Sequence, residues 1–313
     1  MIAIVVHGGA GGTSRVAQKR GCVTAAEIGM KILRRGGSAL EAVVATVRWM
    51  EDSGVFNAGV GSVLRFDGQS IQMDAVVAVF DGSGVTQGAV EIVEDVRNPV
   101  LLAVEVMKTP HVKLGGDGAV QFARRLGLPG HPGPSPLALA RHERLRRLIE
   151  REGIATAAPG WSPEALARLF DWDAQAENGD GGETIASVAE GCDTVGAVAL
   201  DTVGRFALAA STGGMSVMLR GRIGDVPVRG AGFQIGSFGG VLATGIGEEI
   251  IRLEGSNKVS QLIQLGLHPQ RACEQAVQLF DPTIPVGFIA LTKGGLGRWS
   301  NRDMPSYPPM EEQ

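Results

Sequence analysis

The sequence predicts a mixed α/β protein whose antiparallel sheets are covered by helices. Three observations point there. Short apolar runs stand in adjacent pairs separated by turn residues, as in hairpins. Longer segments of helical period are grouped between those pairs. Glycine supplies 46 of 313 residues and is spread along the whole chain, which implies many tight turns and close backbone approaches. Hairpins with helices grouped between them pack as sheets with helical covers.

Residues 2–6 form the first apolar run and read as a buried strand. A helix follows over about 16–35 and ends at Gly36-Gly37. Ser38 and Glu41 have the spacing of a capping box, so a second helix starts there and runs to about Glu51. Its apolar residues (Leu40, Val43, Val44, Val47, Met50) cover most sides, which places it between a sheet and other helices. Strands over 71–80 and 86–93 flank the turn Asp81-Gly82-Ser83-Gly84. Helices are expected at 99–108 and 117–126. Four prolines (Pro129, Pro132, Pro134, Pro136) then open a stretch with helices near 137–152 and 163–170 and an acidic, glycine-rich run, Asn178 to Glu183. Strands 195–200 and 205–211 flank Asp201-Thr202-Val203-Gly204. Helices at 248–266 and 269–280 precede a last hairpin, 286–292 and 296–299.

Net charge −4 and pI near 5.8 argue against nucleic acid as an obligate partner, and no run of five like charges appears. The basic stretch Arg141 to Arg147 contains Glu143 and reads as a solvated helix face. Cys22, Cys192 and Cys273 form no Cys-x-x-Cys pair, which suits a reducing cytoplasm. The first residues lack the basic segment of a signal peptide, and no apolar run reaches about 18 residues, so no membrane association is expected. His7 to Gly12 is glycine-rich but fails as a dinucleotide fingerprint, because the third required glycine falls on Ser14. His7 reads as a structural residue at a strand end.

Chemistry enters at Thr194, which precedes the strand Val195-Gly196-Ala197-Val198. Inside a chain, a threonine hydroxyl is a poor nucleophile. At a new N-terminus, its own α-amine, with a reference pKa of about 7.7–8.0, can take the proton. A chain that uses Thr194 in this way has a reason to cut itself before it, and the glycine-rich run upstream is a suitable tail to release. A second threonine follows in Ser211-Thr212-Gly213-Gly214.

These segments resemble the N-terminal-threonine (Ntn) hydrolases of the plant-type L-asparaginase, isoaspartyl peptidase and glycosylasparaginase family. So do His7-Gly8-Gly9-Ala10-Gly11, Phe56 to Gly61, Arg97-Asn98-Pro99-Val100, Thr109-Pro110-His111-Val112, Gly221 to Asp225 and Ala243 to Glu248, all in family order. The resemblance sharpens the fold to one four-layer αββα domain. It implies cleavage between Asp193 and Thr194 into an α chain, 1–193 with a mobile linker over about 129–193, and a β chain, 194–313. Asp193 stands where many plant-type members have glycine; there the chain is closer to the glycosylasparaginase and taspase-like members, and the carboxylate can serve as base for the cut.

Further roles come with the resemblance. Thr194 is the nucleophile, Thr212 supports it, and the Thr244 hydroxyl with the Gly245 N–H forms the oxyanion hole. Asn57 orients a buried water or the threonines. Arg222 takes the substrate α-carboxylate; Asp225, with the Gly247 carbonyl, takes the α-ammonium; Gly245 also lines that site. Backbone carbonyls of Met50, Glu51, Ser53, Phe56, Ala58 and Val60 match a structural sodium loop. No redox or organic cofactor is required, and a dimer of αβ units is implied. Val226-Pro227 and Ile246 replace residues that are commonly polar in the family, so a less polar leaving-group side is expected. The implied activity is hydrolysis of the β-amide of L-asparagine and of β-aspartyl peptides. A glycosylasparaginase-like or taspase-like member is the alternative within the family, and a non-catalytic glycine-rich binding protein the alternative outside it.

Overall fold

The computed structural model describes residues 1–11, 16–153, 162–170 and 194–308. Seven strands build the larger sheet: β1 (Ala3–His7), β2 (Met73–Phe80), β3 (Val85–Val93), β4 (Lys113–Gly115), β5 (Val195–Leu200), β6 (Phe206–Thr212) and β11 (Ser306–Tyr307). Their order is β11-β1-β5-β6-β2-β3-β4. The smaller sheet holds β7 (Phe233–Gly236), β8 (Gly239–Gly245), β9 (Val286–Thr292) and β10 (Gly295–Ser300), in the order β10-β9-β8-β7. All strand pairs are antiparallel except β3 with β4, which the hairpin reading did not anticipate.

Alternation along the strands explains the packing. Side chains on successive strand residues point to opposite faces. Ile4 and Val6 of β1, Ala75 and Val77 of β2, and Ala207 and Ala209 of β6 join a core with helices α1 (Val16–Arg34), α2 (Ala39–Asp52), α3 (Pro99–Met107) and α4 (Gly116–Arg125). Val5, Val76, Ala78, Phe206 and Leu208 point the other way, against Phe233, Leu242, Ile289 and Leu291 of the smaller sheet. A third core lies beyond that sheet. There Val241, Ala243, Phe288 and Ala290 meet Val259 of α8 (Gly255–Gln264) and Ala272, Cys273 and Ala276 of α9 (Pro269–Val277). Both sheets are thus buried on both faces, which is why their strands read as near-continuous apolar runs.

The capping box forms as expected: Ser38 Oγ accepts from the Glu41 N–H at 3.2 Å, and Glu41 Oε2 accepts from the Ser38 N–H at 2.7 Å. Such a cap contributes about 1 kcal/mol to helix stability. The helix expected over 248–266 is instead two, α7 (Gly247–Leu253) and α8, broken at Glu254 with φ 51°. The break lets the N–H groups of Ser256 and Asn257 reach the carbonyls of Ala231 and Gly230, at 3.0 and 2.7 Å, so the start of α8 is satisfied by neighbouring backbone. The hairpin β7–β8 was not anticipated: β7 has only four residues, and glycines stand at the ends of both strands.

The stretch from 129 carries α5 (Pro136–Glu152) and α6 (Pro163–Phe170). Leu145, Leu148 and Ile149 of α5 are buried, and His142 Nε2 stands 3.2 Å from the Phe66 carbonyl. Residues 154–161 and 171–193, which include Asp193, Cys192 and the acidic run, lie outside the described residues. Among the described residues, no helix is long and apolar enough to cross a membrane.

Candidate active site

Thr194 immediately precedes β5 and Thr212 ends β6. The register pairs Val195 with Ser211, which sets the two threonines side by side. The Thr194 hydroxyl donates to Thr212 Oγ1 at 3.2 Å, and the same oxygen accepts the Gly214 N–H at 3.0 Å. Both side chains are buried.

The turn after Thr212 is held from a distant part of the chain. Asn57 Nδ2 donates to the Gly214 carbonyl at 2.7 Å, its Oδ1 accepts from the Val63 N–H at 3.0 Å, and its carbonyl accepts from the Gly213 N–H at 2.9 Å. Arg65, 2% exposed, donates to the carbonyls of Gly213, Met215 and Gln72. Burial lowers its pKa to about 10, so it stays charged at neutral pH. Asn57 therefore acts on the turn next to the threonines, and Arg65 is a supporting residue that sequence reasoning missed.

Thr244 lies at the end of β8, the strand that crosses β5 and β6 from the other sheet. Its buried Oγ1 accepts from the Ala10 N–H at 3.3 Å. Gly245 adopts φ 142°, and a Cβ there would lie 2.2 Å from the Pro285 carbonyl oxygen, so no other residue fits.

Arg222, Asp225 and Gly247 converge. A Cβ on Gly247 would lie 2.6 Å from Arg222 Nη2 and 2.8 Å from Asp225 Oδ1. Arg222 is paired with Glu248: Nε and Nη2 each lie 2.8 Å from one of its oxygens. Burial works against the guanidinium charge, but the Glu248 hydrogen bonds and the charges of Glu248, Asp225 and Asp74 outweigh it and hold its pKa above the ordinary value. Asp225 is 5% exposed, and its Oδ2 has no hydrogen-bond partner among the described residues. Burial pushes its pKa up to about 7, against the pull of Arg222. The site thus offers a cation beside a buried, unsatisfied carboxyl. The pairing of Glu248 with Arg222 joins two segments that no local sequence pattern links.

His7 is fully buried with no partner for either ring nitrogen among the described residues, and desolvation lowers its pKa to about 3. It is neutral, as a structural residue would be. Arg97 and Asn98 bind Asp52 at 2.8 and 3.3 Å and so join the end of α2 to the start of α3.

Helix α2 supplies Met50 and Glu51 to the loop matched to a sodium site. Beyond it, the chain folds back over Ser53, Phe56, Ala58 and Val60. A Cβ on Gly59 would lie 2.7 Å from the Glu51 carbonyl oxygen, and one on Gly61 2.1 Å from that of Phe56. The Met50 and Ala58 carbonyls accept one hydrogen bond each from Ser53 Oγ and the Gly61 N–H, at 2.8 and 3.1 Å. The buried Glu51 side chain accepts from the Val100 N–H at 3.0 Å, and burial raises its pKa to about 8. Among the described residues, no cluster of three His, Cys, Asp or Glu side chains forms a metal site.

One expectation is overturned. Val226 is 1% exposed and packs in the core between the sheets, with Phe233 and Met304, so it does not line a leaving-group pocket. An apolar residue stands there because the position belongs to the core. Ile246 is half-buried at the start of α7, and its N–H donates to the Pro285 carbonyl at 3.0 Å.

The chain thus holds a pair of contacting threonine hydroxyls, and an arginine and a buried carboxyl that meet at Gly247. The asparaginase family model matches residues 1–309, and the chain belongs to that family. It is 35% identical to the plant-type L-asparaginase of Pyrococcus furiosus, across all of this chain and 97% of the relative. It is 36% identical to the human isoaspartyl peptidase/L-asparaginase, across 96% of this chain and 91% of the relative. It is also 36% identical to the plant-type L-asparaginase of Thermococcus kodakarensis, across all of this chain and 97% of that one.

Proposed function

We propose that this chain is a self-processing amidohydrolase acting on the β-amide of L-asparagine and of β-aspartyl peptides, within a single four-layer αββα domain. The observation that carries this reading is the Thr194–Thr212 hydroxyl contact at the head of β5, in a chain that also brings Arg222 and Asp225 together. Cleavage before Thr194 turns its hydroxyl and amine into a nucleophile and base on one residue and gives chains 1–193 and 194–313. Asp193 is the candidate base for the N→O acyl shift, and residues of about 129–193 form the linker.

In turnover, Thr194 Oγ attacks the β-carbonyl carbon. Charge on the carbonyl oxygen is met by Thr244 Oγ1 and the Gly245 N–H. The Thr194 amine takes the hydroxyl proton and passes it to the leaving nitrogen as the C–N bond breaks. Water then attacks the ester, its proton returns to Thr194 Oγ, and aspartate leaves. Arg222 takes the α-carboxylate on the Nη1–Nη2 edge that Glu248 leaves free. Asp225 and the Gly247 carbonyl take the α-ammonium.

No step needs an organic or redox cofactor. The folded-back loop from Met50 to Val60 fits a sodium ion held by backbone oxygens, whose chemistry there would be to neutralise converging carbonyl dipoles and stiffen the loop leading to Asn57. The αβ units pair as dimers, and the site of action is the cytoplasm. Family membership favours the hydrolase over the non-catalytic binding protein.

Intact mass measurement together with turnover of L-asparagine, a β-aspartyl dipeptide and glycosylasparagine tests this reading. Two fragments meeting at Thr194, with activity appearing as they form, are expected. A chain that stays whole and inert toward all three substrates refutes it.

A further inference from the structure

The loop carrying Arg222 and Asp225 has little stiffness of its own. Gly221, at φ 88°, and Gly224 bracket Arg222-Ile223. Glycine leaves the backbone free to adopt many conformations. Apart from a turn bond from the Arg222 N–H to the Leu219 carbonyl at 3.1 Å, the loop is held from outside, by two side chains with no role in the chemistry above.

Gln72 and Asp74 stand two residues apart where β2 begins, so they project from the same face. Gln72 Oε1 accepts from the Gly221 N–H at 2.8 Å. Asp74 Oδ2 accepts from the Gly224 N–H at 3.1 Å. Two acceptors on one strand thus take the two backbone amides that bracket Arg222. Both residues are 4% exposed.

Each acceptor is itself fixed. Gln72 Nε2 donates to Glu94 Oε1 at 2.8 Å, so its amide oxygen must face Gly221; Glu94 also pairs with Arg220 at 2.8 Å. Asp74 Oδ1 accepts from the Ile92 N–H at 2.7 Å. The β2–β3 register slips at that place, from Met73↔Val93 to Ala75↔Val90, and Ile92 has φ 48°. At such a bulge an amide loses its ladder acceptor, and the carboxylate supplies one. Both Asp74 oxygens therefore accept an N–H. Asparagine has one acceptor and one donor, and cannot do the same.

We propose that Gln72 and Asp74 are positioning residues for substrate recognition: by fixing the amides of Gly221 and Gly224 they set where Arg222 stands relative to Asp225, and hence the spacing at which a carboxylate and an ammonium on one carbon are read together. This rests on the reading of Arg222 and Asp225 as the head-group clamp. Placement errors near 1 Å matter greatly to such a site.

The test uses Asp74→Asn and Gln72→Met, with Arg222→Ala as reference. The substrates are L-asparagine and its α-carboxamide, which keeps the β-amide and the ammonium but lacks the α-carboxylate. Loss of one such hydrogen bond should raise KM for asparagine about fivefold in Gln72→Met and about tenfold in Asp74→Asn. In both, kcat should stay within about threefold and the preference for asparagine over the carboxamide should shrink. In Arg222→Ala that preference should vanish, and adding Asp74→Asn should raise KM no further. If Arg222→Ala abolishes the preference but Gln72→Met keeps it, with kcat and KM worsening alike for both substrates, the positioning role is overturned and the clamp stands. If Arg222→Ala keeps the preference, the clamp reading falls and this proposal with it. Gln72→Met also serves should Asp74→Asn fail to fold.

Discussion

Glu248 grips Arg222 by one edge: its two oxygens take Nε and Nη2, each at 2.8 Å, and leave the Nη1–Nη2 edge without a carboxylate from this residue. The pair fixes the direction in which the guanidinium can accept a second anion. Glu248→Gln should therefore raise KM for L-asparagine, because a neutral amide holds the arginine less firmly. Glu248 is 39% exposed at its side chain, so solvent screening reduces the effect to about threefold to fivefold. Steady-state kinetics checks the sign: a lower KM would mean that Glu248 competes with the substrate.

Arg222→Ala should impair substrate use far more than self-cleavage. The cleavage site presents no α-carboxylate for Arg222 to hold. A charge-assisted bidentate contact is worth roughly 1.5–3 kcal/mol, so kcat/KM should fall about 10- to 150-fold. Gel densitometry of processing beside kinetics on the same preparation separates the two effects. Failed processing with normal substrate affinity would make Arg222 a structural residue.

Thr194→Ala should remain one chain and be inactive toward asparagine. Thr194→Ser should retain part of both activities, because it keeps a hydroxyl. Its smaller side chain loses the methyl packed at the head of β5, not the Thr212 contact. N-terminal sequencing after long incubation shows whether a new terminus appears at residue 194. Full turnover from an uncut chain would contradict the mechanism.

Asp225 predicts a pH dependence with a definite sign. Burial raises its pKa to about 7, with Arg222 pulling down and Glu248 and Asp74 pushing up. Only the carboxylate form attracts an ammonium, so KM for L-asparagine should fall as pH rises through about 7. Stability of the ligand-free protein should move the other way. A raised folded pKa gives a contribution fully present below the unfolded value near 4 and lost as pH rises to about 7. The difference in Tm between wild type and Asp225→Asn, followed from pH 4 to 8, should shift against the wild type over that window. A flat difference would show that Asp225 is ionised throughout.

Local logic made much of this protein legible. The capping box of Ser38 and Glu41, the hairpin after Phe80 and the strand after Thr194 follow from short-range chemistry, and they fold as read. The threonine argument needs only the pKa of an α-amine. What stayed hidden depends on long-range pairing. Gln72 and Asp74 meet Gly221 and Gly224 across about 150 positions of sequence, a relation no local pattern encodes. Asp74 did leave one sign: a carboxylate in the apolar strand Met73-Asp74-Ala75-Val76-Val77 must have buried partners. Val226 is the opposite case: a departure from a family pattern near a site serves packing.

The larger sheet interleaves the two halves of the chain. Strand β1 lies between β11 and β5, and β2 joins its edge to β6. A cut before Thr194 leaves this weave intact but changes the molecularity of folding. The uncut chain folds as one molecule; the severed one, once denatured, has to find its other half. Neither piece owns the whole larger sheet, although the smaller one lies entirely after Thr194. Mature protein should therefore regain its fold at a rate that depends on concentration, and upon dilution should stay lost after heating, whereas Thr194→Ala should refold at a rate indifferent to dilution. A cut at Thr194 would thus make maturation a one-way passage, in which activation gives up unimolecular refolding.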